Sequence, residues 1–274
     1  MNADKKTWVE IVKEEDLPKV SEKDLALLSK VSKPPATLPT ELAQKWYSYM
    51  VAGAIKNDSE FYDILPEEIL KHIDNDYSNL ALDLQEEFAG NTGLTIMQIG
   101  CGRGDLLMRL GKLGFTNLYG IDRSILQVQG TERKLAEAGV TTATVIQCIV
   151  QDFDFAQLGK KIDVVILNNF WGILNQADMV KMVEKLIACM SENGKFYAGP
   201  LRMGNKKKRP PFLKMLWQSI RRMYDLKKVE RKFGINMFYN VNVNFRAYGF
   251  KSDIIPCKNA KYHYVRHVRQ PKQA

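Results

Sequence analysis

The residues best placed to do chemistry form one short run, Met97-Gln98-Ile99-Gly100-Cys101-Gly102-Arg103-Gly104-Asp105. An apolar segment, Leu94–Ile99, precedes it, and a helical pattern over 105–112 follows. The three glycines therefore sit at a strand-to-helix turn, where they permit a tight bend and let a ligand approach the backbone closely. The next strand pattern, Asn117–Ile121, ends at Asp122. That carboxylate lies about 20 residues beyond the loop, at the place that accepts hydrogen bonds from a ribose. A G-x-G-x-G on its own is a weak signal, and a glycine-rich turn beside a surface aspartate is the plain alternative. The strand, helix and acid around it point instead to capture of a nucleoside.

The elements that must position these groups change character along the chain. Residues 1–33 are polar with scattered apolar positions, and Pro34, Pro35 and Pro39 interrupt what precedes them. Thr40 is a candidate N-cap for a helix to about Ala54, with Leu42, Trp46, Tyr49 and Met50 at helical spacing. A second helix opens at Pro66, and a third covers about Tyr77 to Phe88 and stops at Gly90. Residues 1–90 thus read as a helical extension. From Gly93 strand and helix patterns alternate: a helix over 127–138, strands at 143–149 and 162–167, a helix over 179–190, a strand from Lys195 and two last strands at 251–257 and 261–268. The run at 162–167 is apolar throughout, as in a strand buried on both faces. This alternation predicts an α/β fold with a doubly wound, mostly parallel sheet. Residues 91–274 form its domain, with a basic insert at 202–232.

A nucleoside loop of this kind serves either a nicotinamide or S-adenosylmethionine. No Y-x-x-x-K pair and no histidine acid follows the fourth strand, as a nicotinamide dehydrogenase would want. The run I-G-C-G-R-G instead resembles the first motif of class I, Rossmann-like S-adenosylmethionine-dependent methyltransferases. Gly120-Ile121-Asp122-Arg123-Ser124 resembles that family's second-strand end, whose acid holds the ribose. Gln151-Asp152-Phe153 resembles the segment whose aspartate meets the adenine amino group while an apolar neighbour flanks the ring. Asp163 to Asn169 resembles the fourth strand and the loop leading to the methyl donor, and Glu192 to Phe196 the turn into the fifth strand. Tyr248-Gly249-Phe250 resembles the step before the sixth. The likeness spans about Gly93 to Arg269. It implies a seven-stranded sheet with an antiparallel last strand. The cofactor it implies is S-adenosylmethionine, with S-adenosylhomocysteine as product. The cofactor-binding residues it implies are Gln98, Gly100, Cys101, Gly102, Gly104, Asp122, Arg123, Asp152, Phe153 and Asn168. One position departs from the pattern: Gln98 stands where the family carries an acid for the cofactor's ammonium. An amide accepts a hydrogen bond without charge, and charge-assisted bonds are roughly twice as strong.

Methyl transfer from a sulfonium is an in-line displacement, so positioning does most of the work, and no catalytic residue is legible. The loop Asn168-Asn169-Phe170-Trp171 resembles, without its prolines, the N-P-P-Y/F motif of enzymes that methylate planar nitrogens. Phe170 and Trp171 would either stack on a flat acceptor or anchor the loop in the core. Phe61-Tyr62-Asp63 resembles a segment found in caps of small-molecule methyltransferases. Trp46, Tyr47 and Tyr49 would line a pocket or form helix core. His72, His263 and His267 show no partners in the sequence, so structural or solvent-facing roles are the default for them.

Charge is distributed unevenly. Residues 1–90 carry a net −8, 91–201 a net +1, 202–245 a net +10 and 246–274 a net +6, within an overall +9. Phe212, Leu213, Leu216, Trp217, Ile220 and Met223 have helical spacing among lysines and arginines. That amphipathic basic helix would meet RNA, an anionic membrane surface or an acidic small molecule, or simply offset the acidic front. The four cysteines, Cys101, Cys148, Cys189 and Cys257, form no C-x-x-C pair, and with three histidines there is no metal set. No apolar run approaches the ~20 residues of a transmembrane segment, and the first residues lack the layout of a secretory signal. These features suit a cytoplasmic protein with free thiols. The expected function is methyl transfer to an N or O atom of a small molecule. The alternatives are an RNA or protein methyltransferase using residues 202–232, and a non-catalytic cofactor-binding scaffold subunit. The oligomeric state is open.

Overall fold

The computed structural model describes residues 14–32, 34, 38–56, 65–70, 77–88, 90–168, 170, 174–202, 221, 224–229, 231–232, 243–256 and 262–271. The chain divides into two compact units. One comprises residues 1–74 and 208–237, the other 75–207 and 238–274.

The first unit is helical among its described residues. α1 (Glu22–Val31) starts where Ser21 accepts a hydrogen bond from the Asp24 amide at 3.3 Å. Glu22 and Asp24 in its first turn suit the positive end of the helix dipole. α2 (Thr40–Lys56) and the short α3 (Glu67–Leu70) follow. Residues 224–229 are helical as well. Leu28, Trp46, Tyr49, Met50, Ile69 and Val229 are buried in one cluster. The aromatic residues of α2 are therefore helix core. α1 lies in the stretch that reads as polar with scattered apolar positions, although five of its ten residues, Leu25, Ala26, Leu27, Leu28 and Val31, are apolar.

The second unit holds a seven-stranded sheet. Its strands are β1 (Thr95–Ile99), β2 (Asn117–Asp122), β3 (Ala143–Gln147), β4 (Ile162–Asn168), β5 (Met190–Arg202), β6 (Phe250–Pro256) and β7 (Tyr262–Arg269). Their order is β3-β2-β1-β4-β5-β7-β6. β1 to β5 pair in parallel, and β7 runs antiparallel between β5 and β6. This is the doubly wound, mostly parallel architecture expected from the alternation. The chain winds outward from β1 to β3 and then returns to β4, so the order reverses between β1 and β4. Ligands of such sheets bind beyond the carboxyl ends of the strands at that reversal.

Both faces of the sheet are covered. Met97, Ile99, Val165 and Leu167 face α7 (Gln176–Cys189), which buries Met179, Met182, Val183 and Leu186. Ile96, Val164 and Ile166 face the opposite way, toward α4 (Tyr77–Glu87), α5 (Asp105–Lys112) and α6 (Ile125–Glu137). Covering on both faces is why β4 reads as a continuous apolar run. α6 and α7 begin on side-chain caps. Ser124 Oγ accepts from the Gln127 amide at 3.1 Å and Asn175 Oδ1 from the Asp178 amide at 3.0 Å.

Two features depart from the sequence pattern. α4, grouped by pattern with the helical extension, packs on α5 through Leu80 and Leu84 and belongs to the sheet unit. β5 begins at Met190 rather than Lys195. Its register jumps from Met190 opposite Ile162 to Lys195 opposite Val164, so Ser191 to Gly194 form an irregularity rather than a turn before the strand.

Candidate functional site

The glycine loop joins β1 to α5. The Gly100 and Cys101 amides both donate to the Ile121 carbonyl, at 2.8 and 3.0 Å. This bond pair ties the loop to the end of β2. Each glycine has its own reason. A Cβ on Gly100 would lie 2.8 Å from Phe170 Cδ2, and one on Gly104 would lie 2.3 Å from Thr131 Cγ2. Gly102, at φ +52, would meet nothing within 4 Å. The space beside its Cα is thus open to a ligand. Thr131 Oγ1, from α6, donates to the Gly102 carbonyl at 2.6 Å.

Asp122 closes the arrangement. Its Oδ2 accepts from the Gly102 amide at 2.8 Å and its Oδ1 from the Ser124 amide at 3.0 Å. An ionised carboxylate has about four lone-pair sites, so both oxygens keep capacity for a pair of ribose hydroxyls. The Cys148 amide donates to the Asp122 carbonyl at 3.0 Å. Burial pushes the Cys148 thiol up to about 11, reinforced by the negative charges of Asp152 and then Asp122. Both carboxylates thus lie near enough to one thiol to act on its charge. Cys101 is shifted upward too, by burial first and by Asp122 second. Neither thiol suits a nucleophilic role.

The other sequence candidates divide. Asp152 and Arg123 are exposed, and the Arg123 carbonyl accepts from Gln147 Nε2 at 3.5 Å. Phe153 is buried and packs edge-on against Phe155, with ring centroids 5.1 Å apart. The exposed apolar side chain of this segment is Ile149, at 51%. Gln98 is fully buried beneath the loop, and among the described residues neither its Oε1 nor its Nε2 has a hydrogen-bond partner. Asn168 is the last residue of β4, opposite Gly199. Phe170 is buried against Gly100 and joins the core, as the anchoring alternative has it. His267 is buried, bonded to Ser252 Oγ at 2.7 Å and stacked on Phe245 at 3.8 Å, so its role is structural. Trp171, Phe61-Tyr62-Asp63, His72, Cys257 and residues 203–220 lie outside the described residues. Sequence reading missed Thr131. Its signal was weak: it shares a buried face of α6 with Gln127, Val128 and Leu135.

Two shallow surface cavities, of about 390 and 350 Å³, are lined by none of these residues. The first lies by Gly249 and Gln270, where β6 starts and β7 ends, and the second by Gly90 and Thr92, ahead of β1. Both are at the amino end of the parallel strands, opposite the glycine loop. Among the described residues there is no cluster that would hold a metal ion, and no helix long and apolar enough to cross a membrane.

The fold defines a Rossmann-like class: a doubly wound sheet with a glycine loop and an acid at the carboxyl ends of β1 and β2. Residues 91–241, more than half of the chain, match the Methyltransf_31 family model, described as a methyltransferase domain, and the chain belongs to that family. It is an S-adenosylmethionine-dependent methyltransferase of class I. Three solved structures are similar. An O-methyltransferase family protein from Burkholderia thailandensis matches with a TM-score of 0.53 and 10% identity, over 85% of this chain and 70% of that one. The pyocyanin biosynthetic protein PhzM matches with a TM-score of 0.50 and 16% identity, over 90% and 67%. The magnesium protoporphyrin IX methyltransferase of Synechocystis PCC 6803, with bound SAH, matches with a TM-score of 0.46 and 18% identity, over 71% and 84%. At these identities the likeness is one of fold. No curated protein matches the chain in sequence.

Proposed function

We propose that this chain transfers the methyl group of S-adenosylmethionine to an N or O atom of a small molecule, with the donor held across the ends of β1, β2 and β3. The observation that carries this reading is the Asp122 carboxylate, anchored by the Gly102 and Ser124 amides and sharing the Cys148 thiol's surroundings with Asp152. In this reading Asp122 binds the ribose hydroxyls, Asp152 the adenine amino group, and the open backbone of Gly102 lies against the donor. Gly100, Cys101 and Gly104 shape the loop. Arg123, exposed just past Asp122, and Asn168, at the end of β4, border the donor, with Phe170 fixing the β4 loop against Gly100. The exposed Ile149 flanks the adenine ring in place of Phe153.

The bound donor supplies a methyl group already activated by its sulfonium. The protein's part is to hold that carbon in line with the acceptor atom, which is the larger share of catalysis for such a displacement. Glycine turns, capped helices and the Asp122 bonds all serve this rigidity. The donor candidates all fall in the unit of residues 75–207 and 238–274.

Calorimetric titration with S-adenosylhomocysteine and with NAD tests the donor. Wild type should bind the first and not the second. Asp122→Ala removes two bonds to a charged acceptor, each worth about 1.5–3 kcal/mol, and should weaken binding roughly 100-fold or more. Unchanged affinity in the variant would remove Asp122 from the donor site.

A further inference from the structure

β6 ends the sheet, with β7 on one side and, among the described residues, no strand on the other. The register fixes which of its backbone groups are used. The Gln270 amide donates to the Gly249 carbonyl at 2.8 Å, so Phe250 and Arg269, facing each other one step on, are a non-hydrogen-bonded pair. By alternation Lys251, Asp253 and Ile255 turn their amides and carbonyls to β7, while Phe250, Ser252 and Ile254 turn theirs outward. Two observations agree with this phase. Ser252 Oγ and His267 Nδ1 lie 2.7 Å apart, as suits the closer side chains of a non-hydrogen-bonded pair. Pro256, which has no N–H to offer, falls at the next outward position. An edge with successive outward amides is a template for another strand.

The side chains of this edge are complementary to themselves. Lys251 has no ion pair among the described residues, and Asp253 has a single long one, to Arg266 at 3.7 Å. Ile254 is 57% exposed, while Phe250 on the same face of the strand is buried against Phe245. The cavity of about 390 Å³ opens beside Phe250, Lys251 and Ser252. Two copies of β6 running antiparallel about Ser252 set Lys251 of each opposite the partner's Asp253, and Ile254 opposite the partner's Phe250. Every outward amide of both strands then meets an outward carbonyl. Moving the two-fold axis to Lys251 would set lysine against lysine, and moving it to Asp253 aspartate against aspartate. Like charges directly opposite are destabilising, so charge selects the register about Ser252.

We propose that β6 is a dimerisation edge, pairing antiparallel about Ser252 with β6 of a second copy of this chain and joining two sheets into one. The partner's Ile254 enters the cavity beside Phe250, and Lys251 meets the partner's Asp253. Each copy gives and receives the same contacts, as a closed two-fold interface requires. The opposite edge of the sheet is β3, which takes no part, so assembly stops at two. The inference does not depend on the donor site. A segment of a different protein is the competing occupant, and it would not require Lys251 and Asp253 to match each other.

Sedimentation of the full chain across about 1–100 μM tests the proposal, since one strand pair with a small apolar contact belongs among the weaker interfaces. Wild type should pass from monomer to dimer in that range. Lys251→Glu sets acid against acid on both sides of the axis and should raise the Kd of the dimer about tenfold or more. Asp253→Lys sets lysine against lysine and should act alike. An equal mixture of the two variants restores opposite charges in the heterodimer, and its Kd should return to within about threefold of wild type. Ile254→Pro removes an outward amide without touching the bonds to β7. It should abolish the dimer and leave the circular dichroism of the chain unchanged. A wild type that stays monomeric throughout, or grows past a dimer, would overturn the proposal. So would a dimer indifferent to Lys251→Glu or Ile254→Pro, or a mixture that fails to recover.

Discussion

Gly104 shows how a single side chain can fix the loop. A methyl group there would collide with Thr131 Cγ2, and Thr131 is the residue that holds the Gly102 carbonyl. Gly104→Ala should therefore add overpacking of about 1–3 kcal/mol to the cost of about 1–2 kcal/mol for its left-handed backbone, at φ +71. Gly102→Ala bears only the backbone cost, since nothing lies within 4 Å. Urea unfolding of both variants measures the difference. Adding Thr131→Ala should recover part of the Gly104→Ala loss and none of the Gly102→Ala loss. Equal destabilisation of the two glycine variants would mean that packing against Thr131 does not explain the glycine.

α4 is held to the sheet through one carboxylate. Glu87, at its end, accepts from Lys195 at 2.6 Å and Arg266 at 2.8 Å through Oε1, and from the Tyr197 hydroxyl at 2.5 Å through Oε2. One carboxylate so joins α4 to β5 and β7. Burial alone would raise its pKa, but the bonds from Lys195 and Tyr197 and the charges of Lys195 and Arg266 outweigh burial and hold it below the usual glutamate value. Glu87→Gln leaves two cations with little water contact, at 21% and 29% exposure. The loss should be about 3 kcal/mol at neutral pH, at the low end of the range for a broken buried pair. The sign of its pH dependence follows. The depressed folded pKa gives wild type its full advantage above the unfolded value, and that advantage disappears as pH falls through the folded value. Urea titrations at about pH 7 and about pH 3 should show the two proteins converging in acid. An advantage that persisted in acid would mean that the carboxylate's charge is not what binds α4.

For the molecule as a whole, acid sensitivity should begin earlier, at His267. Burial lowers its pKa to about 4 from the ordinary value near 6.5. The unfolded chain therefore takes up a proton that the folded one refuses as pH falls from 6.5 toward 4. Stability is fully present above 6.5 and falls through this window with a slope approaching about 1.4 kcal/mol per pH unit. His267→Gln, which cannot titrate, should flatten that slope even if it lowers stability at neutral pH. An unchanged slope would place the acid sensitivity elsewhere. The window for His267 lies mostly above that for Glu87, so the two variants separate the contributions of β7's two faces.

Local order in the sequence determined the glycine loop, the acid at the end of β2, the strand–helix alternation and the caps at Ser124 and Asn175. Each of these is set within a few residues, by turn geometry, periodicity or a side chain bonding its own backbone. The resemblance of successive motifs added the antiparallel seventh strand. What the tertiary structure decided are relations across distance. Glu87 meets partners 108 to 179 residues away, and no local pattern announces such a pairing. The same holds for Thr131 under Gly104 and for Phe170 over Gly100. Phe153, which the resemblance set beside the adenine ring, is buried while Ile149 is exposed, because the turn after β3 directs one inward and the other outward, which composition does not reveal. Gln98 stood out in the sequence as a departure from a pattern. Only the packing of apolar groups around it shows that its amide is sealed in without a partner among the described residues, and such burial is what gives that departure physical meaning.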